Sequence, residues 1–117
     1  MVYGLSISDG EHVDDADTVR LVGDLDHATV TGFERRVDAL IAEGAQRVLL
    51  DLSAVGFVDS SGLSAVVELF HRLKLSGGRL VIVCPDGGPR RIFERTGLAA
   101  FLGLWRTRSE ALNALRA

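Results

Sequence analysis

The sequence predicts an α/β fold in which a mixed β-sheet of four to five strands is flanked by α-helices. Two apolar runs, at residues 48–52 and 80–83, are typical of strands buried on both faces, and a helix-length segment separates them. This order indicates a βαβ unit, whose two strands lie parallel. An alternating segment at residues 2–8 and a second strand at 18–22 predict an antiparallel addition to the same sheet.

The N-terminal part of the chain is predicted to form a hairpin followed by a helix. Residues 2–8 alternate in polarity as a half-buried strand does, and the acidic stretch 9–17 is predicted to be the hairpin loop. A helix is expected from about residue 29 to residue 42, because Gly44 lies just beyond its end. Its apolar face consists of Val30, Phe33, Val37, Leu40 and Ile41.

The central helix carries apolar residues at helical spacing and is expected to end at residues 76–78, Ser-Gly-Gly. If Asp59 is its N-cap, Ser60 is the first helical residue and Val58 packs on Leu63 as a hydrophobic staple. Ser60 then points outward at the start of the helix.

The C-terminal part is predicted to contain two further helices. Pro89 fits the first turn of a short helix, and Gly97 fits its C-terminal cap. Residues 98–105 are mostly apolar and are compatible with a short edge strand. Thr107 and Glu110 have the spacing of a capping box, which predicts a last helix packed against the sheet.

Composition indicates one globular domain over residues 1–117. The net charge of −3 gives no indication of the basic surface that binding to nucleic-acid phosphates requires. The single cysteine, Cys84, follows an apolar run and is expected to be a buried hydrophobe in a reducing compartment. No apolar segment approaches the ~18 residues that span a membrane, and the first residues do not resemble a signal peptide. We therefore expect a cytoplasmic protein that binds neither membrane nor nucleic acid directly.

The sequence lacks the motifs of metal-binding sites, nucleotide-binding loops and serine hydrolases. The histidines, at positions 12, 27 and 71, do not have metal-ligand spacing, and the glycine pairs at 77–78 and 87–88 are not followed by the Lys-Ser/Thr of a phosphate loop. Ser60, His27 and an aspartate could form a hydrolase triad, but the G-x-S-x-G elbow is missing around Ser60. We expect no cofactor, no metal and no enzymatic activity.

Ser60 is the candidate switch residue because it lies at a predicted helix N-terminus. Unpaired N–H groups and the helix dipole accommodate an added phosphate there. Asp24, Asp26 and His27 are expected close to Ser60, at the same edge of the sheet. From the residues alone, these three either shape a partner-binding rim or serve as loop and capping residues, and Ser60 itself could be a plain helix-start residue.

Five segments, taken together and in order, resemble the STAS domain family (sulfate transporter and anti-sigma factor antagonist), most closely its free-standing bacterial anti-anti-sigma factors. They read GDLDH at 23–27, DLS at 51–53, FVDSSGL at 57–63, GG at 77–78 and RIFERTGL at 91–98. The resemblance implies a STAS-type sheet and covers nearly the whole chain, although the acidic stretch at residues 11–17 is longer than usual.

The resemblance also implies a function. In this family the first serine of the D-S-S-G motif, here Ser60, is phosphorylated by an anti-sigma factor that is a serine kinase; Ser61 is the second choice. The unphosphorylated protein binds the anti-sigma factor and frees a sigma factor, and a phosphatase reverses the modification. ATP and Mg²⁺ belong to the kinase. The expected partner-binding residues are Asp24, Asp26, His27, Asp59, Ser61, Gly62, Leu63 and Ser64.

An alternative function comes from the same fold. STAS domains also serve as scaffold or accessory subunits of sensory complexes and lipid transporters, so the fold does not choose between the two.

Overall fold

The computed structural model describes residues 4–13 and 16–116. The first half of the chain contains β1 (Leu5–Val13), β2 (Ala16–Leu25), α1 (Val30–Ala42) and β3 (Arg47–Val58). The second half contains α2 (Ser60–Leu75), β4 (Arg79–Val83), α3 (Gly88–Arg95), α4 (Leu98–Leu102), β5 (Leu104–Trp105) and α5 (Arg108–Arg116).

The five strands form one mixed sheet in the order β1-β2-β3-β4-β5. β1 is antiparallel to β2, whereas β2, β3, β4 and β5 run parallel. Each parallel connection contains at least one helix, as parallel strands require. The predicted fold class is confirmed, with the hairpin added to the parallel unit and β5 as the short edge strand.

The two faces of the sheet are covered unequally. Along β3, Leu50 belongs to the main core, where it clusters with α1, α2 and α3 residues such as Phe33, Leu69 and Phe93. Its neighbour Leu49 faces the opposite side in a smaller cluster with Ala111 and Leu115 of α5. β3 is therefore buried on both faces, as its continuous apolar sequence predicts.

Helix boundaries agree closely with the sequence predictions. α1 ends at Ala42, and α2 begins at Ser60 with Asp59 as its N-cap. The capping box of α5 is formed: the N–H of Thr107 donates to Glu110 Oε1 at 3.1 Å, and the N–H of Glu110 donates to Thr107 Oγ1 at 3.2 Å. These boundaries depend on hydrogen bonds between residues close in sequence, which explains why they can be predicted.

The prediction of a long acidic hairpin loop was wrong. β1 continues through Val13 and β2 begins at Ala16, so most of the stretch 9–17 is strand, with an irregularity between Asp9 and His12. The ladder is made by backbone groups, so it can continue through an acidic sequence. Residues 2–3 of the predicted first strand and residues 14–15 of the predicted loop lie outside the described residues.

Two further differences concern apolar patterning. β3 extends from the predicted residues 48–52 to Val58 because β2 continues to pair with it as far as Leu25, across two register shifts. The apolar segment after Gly97 contains α4 as well as β5. Such short elements are set by packing, which the local sequence does not specify.

Candidate functional site

The candidate site lies where β2 and β3 end and α2 begins. Asp24 is paired with Phe57, and Leu25 with Val58. Because these strands are parallel, their carboxyl ends meet at one edge of the sheet, the edge where α/β proteins commonly bind ligands. We call the surface formed by Asp24, Asp26, His27, Asp59 and Ser60 the rim.

Asp59 connects the two loops of the rim. Its Oδ1 accepts from the N–H of Gly62 at 3.0 Å, as an N-cap does, and its Oδ2 accepts from the N–H of His27 at 2.9 Å. The N–H of Asp59 donates to the carbonyl of Leu25 at 3.2 Å. One residue thereby fixes the start of α2 against the loop that follows β2.

These contacts also determine the charge of Asp59. The N–H of Gly62 is the main group that lowers the pKa of the Asp59 carboxyl below its usual value, with help from the N–H groups of His27 and Ser61 against a smaller desolvation effect. Asp59 is therefore anionic at neutral pH. Since its oxygens are engaged by backbone donors, it is not arranged as the aspartate of a hydrolase triad.

Asp26 closes the turn between β2 and α1. Its Oδ1 accepts from the N–H groups of Ala28 and Thr29 at 2.9 and 3.1 Å. Thr29 Oγ1 accepts from the N–H of Asp26 at 3.0 Å and donates to the carbonyl of Asp24 at 2.7 Å. Of the two roles left open by the sequence, the turn-forming role of Asp26 is thus observed. The side chains of Asp24 and His27 are exposed.

Gly62 is needed where α2 meets the end of β2. A Cβ at this position would lie 2.4 Å from the carbonyl oxygen of Leu25 and 3.1 Å from a methyl of Val58. The sequence prediction places Gly62 and Leu63 in the partner-binding set, but Gly62 is buried and Leu63 is only 7% exposed. The structure gives both a packing role, and their contact with a partner stays a prediction.

An open groove begins at Ser60 and follows α2. Ser60 and Ser64 are exposed and Ser61 is half-buried. The groove has a volume of about 480 Å³. Its lining is mainly apolar and consists of Ser60, Leu63, Ser64, Val67, Glu68, His71 and Leu98.

Four residues that line the groove were not predicted from the sequence. Val67 and His71 follow Ser60 and Ser64 at helical spacing on one face of α2, and Glu68 lies beside them, so periodicity could have indicated all three. Leu98 belongs to α4 and reaches the groove only through the tertiary fold. Among the described residues that line the groove there is no Arg or Lys.

Phe57, close to the rim, is a further residue that was not predicted from the sequence. It lies one position before Val58 at the end of β3 and is 52% exposed. Its strand partner is Asp24. Aromatic side chains, Phe among them, are enriched at protein–protein interfaces relative to the rest of the surface.

The described helices include none that is long and apolar enough to cross a membrane.

Residues 9–111 match the family model of the STAS domain, and the chain therefore belongs to the STAS domain family. It is 28% identical over 99 residues to an anti-sigma F factor antagonist of Lysinibacillus sphaericus. The aligned region covers 84% of each chain.

Solved structures agree with this assignment. An anti-sigma factor antagonist from Mycobacterium paratuberculosis superposes with a TM-score of 0.89 at 28% identity, covering 97% of this chain and 96% of that one. The phosphorylated form of the Bacillus cell fate determinant SpoIIAA superposes with a TM-score of 0.71 at 25% identity, covering 95% of this chain and 100% of that one.

Proposed function

We propose that this protein is an anti-sigma factor antagonist switched by phosphorylation of Ser60. The unphosphorylated form binds an anti-sigma factor that is a serine kinase, and this binding releases a sigma factor in the cytoplasm. Phosphorylation of Ser60 abolishes the binding until a phosphatase removes the phosphate. The kinase supplies the catalysis, with its own ATP and Mg²⁺, and this chain is its substrate and ligand.

The observation that carries the proposal is the placement of Ser60. It is the exposed first residue of α2, it follows the anionic N-cap Asp59, and it lines the start of the apolar groove. A kinase can reach such a hydroxyl without unfolding the chain. Ser61 is half-buried and does not line the groove, which favours Ser60 as the acceptor.

The energetics favour a switch that acts on the interface. A phosphate adds about −1.5 to −2 charge at neutral pH. The helix N-terminus stabilises an anion by only ~0.3–1 kcal/mol, and the sequence has no Arg or Lys between Val48 and His71 that could form a strong pair with it. The fold of the chain should therefore tolerate the phosphate without rearrangement.

A bound partner would be affected much more. The phosphate would join Asp59 at the rim and would have to be desolvated against an apolar groove. Like charges placed together in an interface cost several kcal/mol, and about 3 kcal/mol would weaken affinity by roughly 150-fold. We infer direct blocking of the interface by the phosphate.

The test is a pull-down from lysate of the source cell, with bound proteins identified by mass spectrometry. The baits are the wild type, Ser60→Ala, Ser60→Asp and Ser61→Ala, and Ser109→Asp adds the same charge at an exposed position on α5. We expect a small ATP-binding serine kinase with all baits except Ser60→Asp. Incubation of the purified pair with Mg²⁺-ATP should then phosphorylate the wild type and Ser61→Ala but not Ser60→Ala.

Two results would contradict the proposal. Recovery of the kinase by Ser60→Asp at the wild-type level would exclude a charge switch at this residue. Recovery of transporter or scaffold components by every bait, without a kinase, would instead favour an accessory-subunit function for the same surface.

A further inference from the structure

One face of the sheet is covered only in part. On the side opposite to the main core, α5 packs on a small apolar cluster, which in the described residues consists of Ala16, Leu49, Val81, Val83, Ala111 and Leu115. Its β2 and β3 members come from the amino halves of those strands. The carboxyl halves of β2 and β3 contribute nothing to this cluster, and their side chains on this face are more exposed.

Three side chains of β2 lie on this uncovered part. Arg20, Val22 and Asp24 point away from the main core, because residues 19, 21 and 25 of the same strand either belong to it or flank them. All three are exposed, and Val22 is 42% exposed. Along the strand, a cation, an apolar residue and an anion therefore follow one another on one face.

β3 adds an apolar surface beside them. Ala54 is the strand partner of Val22, and Phe57, which is 52% exposed, is the strand partner of Asp24. We call the surface formed by Arg20, Val22, Asp24, Ala54 and Phe57 the open face. An exposed apolar centre with an aromatic residue and charged groups at its margin is the usual composition of a protein–protein interface.

The two charged groups of the open face are available to an external partner. Within the described part of the chain, neither Arg20 nor Asp24 forms an ion pair. Asp51, which lies opposite Arg20 on β3, is buried, and its Oδ1 accepts from the N–H of Ser53 at 2.9 Å. The hydrogen bonds of Asp24 in this part of the chain are made by its backbone.

The order of charges along β2 is self-complementary. A two-fold axis that crosses β2 at Val22, between two facing sheets and at right angles to the strands, makes the second β2 antiparallel to the first. Arg20 then lies over the partner's Asp24, and Asp24 lies over the partner's Arg20, as in an isologous interface. Facing sheets pack about 10 Å apart, a gap that an arginine and an aspartate side chain together can bridge.

We propose that the open face binds a second copy of this chain and forms a two-fold symmetric dimer through Arg20, Val22 and Asp24. The face spans three strands about 4.8 Å apart and five residues at about 3.3 Å each, a footprint of roughly 14 Å by 17 Å. Interfaces of this small size are weak, so we expect a dissociation constant between about 1 µM and 1 mM. The inference does not rest on the proposed function, because it uses neither Ser60 nor the kinase.

The test is sedimentation equilibrium of the purified full chain from about 10 µM to about 1 mM, at low ionic strength where charge pairs are least screened. We expect a reversible monomer–dimer equilibrium. Arg20→Glu and Asp24→Arg should each weaken the association by roughly tenfold or more, because each replaces two attractive contacts by two like-charge contacts.

An equimolar mixture of Arg20→Glu with Asp24→Arg gives the decisive comparison. In the mixed dimer the introduced glutamate faces the introduced arginine, and the unchanged Asp24 faces the partner's Arg20, so both contacts attract again. We expect the mixture to associate with about the wild-type affinity, measured by sedimentation with one variant fluorescently labelled. A folding defect in either variant would not be repaired by mixing.

The matched controls are Arg35→Glu and Glu34→Arg, which make the same charge changes at exposed positions of α1, on the other side of the sheet. Both should associate as the wild type does. A wild type that stays monomeric over the whole concentration range would overturn the proposal. So would a mixture that associates no better than its two components, or an equal loss of association in the controls.

Discussion

Replacement of Gly62 by alanine tests the packing that positions Ser60. The new Cβ would lie 2.4 Å from the carbonyl oxygen of Leu25 and 2.9 Å from its Cγ, whereas ordinary contact begins at 3.4 Å. The methyl group and the oxygen must therefore move apart by about 1 Å. The same oxygen accepts the N–H of Asp59, so the movement disturbs the junction of β2 and α2.

The magnitude follows from two opposing effects. Overpacking of this kind costs ~1–3 kcal/mol, and alanine in place of glycine inside a helix gains ~0.5–1 kcal/mol. Because the clash is with a backbone oxygen rather than the end of a flexible side chain, its cost should lie near ~2–3 kcal/mol, and after the helical gain of ~1 kcal/mol we expect Gly62→Ala to be destabilised by about 1–2 kcal/mol. For a domain of this size, this corresponds to a fall in melting temperature of roughly 4–8 °C.

Urea denaturation monitored by circular dichroism measures this change, with Gly32→Ala as the matched control. Gly32 is an exposed residue of α1 and would have no atom within 4 Å of an added Cβ, so its replacement should stabilise the chain by ~0.5–1 kcal/mol. The two substitutions should thus have opposite signs at unchanged m-value. A Gly62→Ala protein as stable as the wild type would refute the reasoning.

Three further predictions concern the cap, the core and the thiol. Asp59→Ala should melt below both the wild type and Asp59→Asn, because asparagine still accepts the Gly62 N–H; thermal melts by circular dichroism compare the three. Since the folded pKa of Asp59 lies below its unfolded value, its ionic contribution should be complete above the unfolded pKa and lost as the pH falls through the folded pKa, which a pH series of the same melts detects. Leu69→Ala should cost ~2–5 kcal/mol in urea denaturation, whereas Leu75→Ala, whose side chain is 86% exposed, should stay within about 0.5 kcal/mol; similar losses would contradict the assigned core. Burial raises the pKa of the Cys84 thiol to about 11, so a thiol reagent at pH 8 should label it only after denaturation; rapid labelling of the native chain would show that the thiol is accessible.

Part of the candidate site could be predicted because its determinants are local. Asp59 caps α2 through a hydrogen bond to a residue three positions away, and this fixes Ser60 as the exposed first residue of the helix. Asp26 closes its own turn in the same way. Asp24 and Asp26 were also expected at the same edge as Asp59, and the structure supplies the reason: β2 and β3 are parallel, so their carboxyl ends meet at one edge of the sheet.

Other parts of the site are formed by residues far apart in sequence. The groove beside Ser60 is completed by Leu98, which packing of α4 brings to α2. Phe57 is half-exposed and lies in the part of β3 that continues beyond its apolar run, a continuation that pairing with β2 allows. Periodicity within one segment carries no information about either contact.

The sequence by itself determined the fold class, the main helix boundaries and the cap of α2, because buried apolar runs and capping hydrogen bonds act between neighbouring residues. Only the tertiary structure decided how far the strands extend, what lines the groove and that Arg20, Val22 and Asp24 lie on an uncovered face. Strand register and helix packing bring distant residues together, and both depend on the free energy of the whole fold.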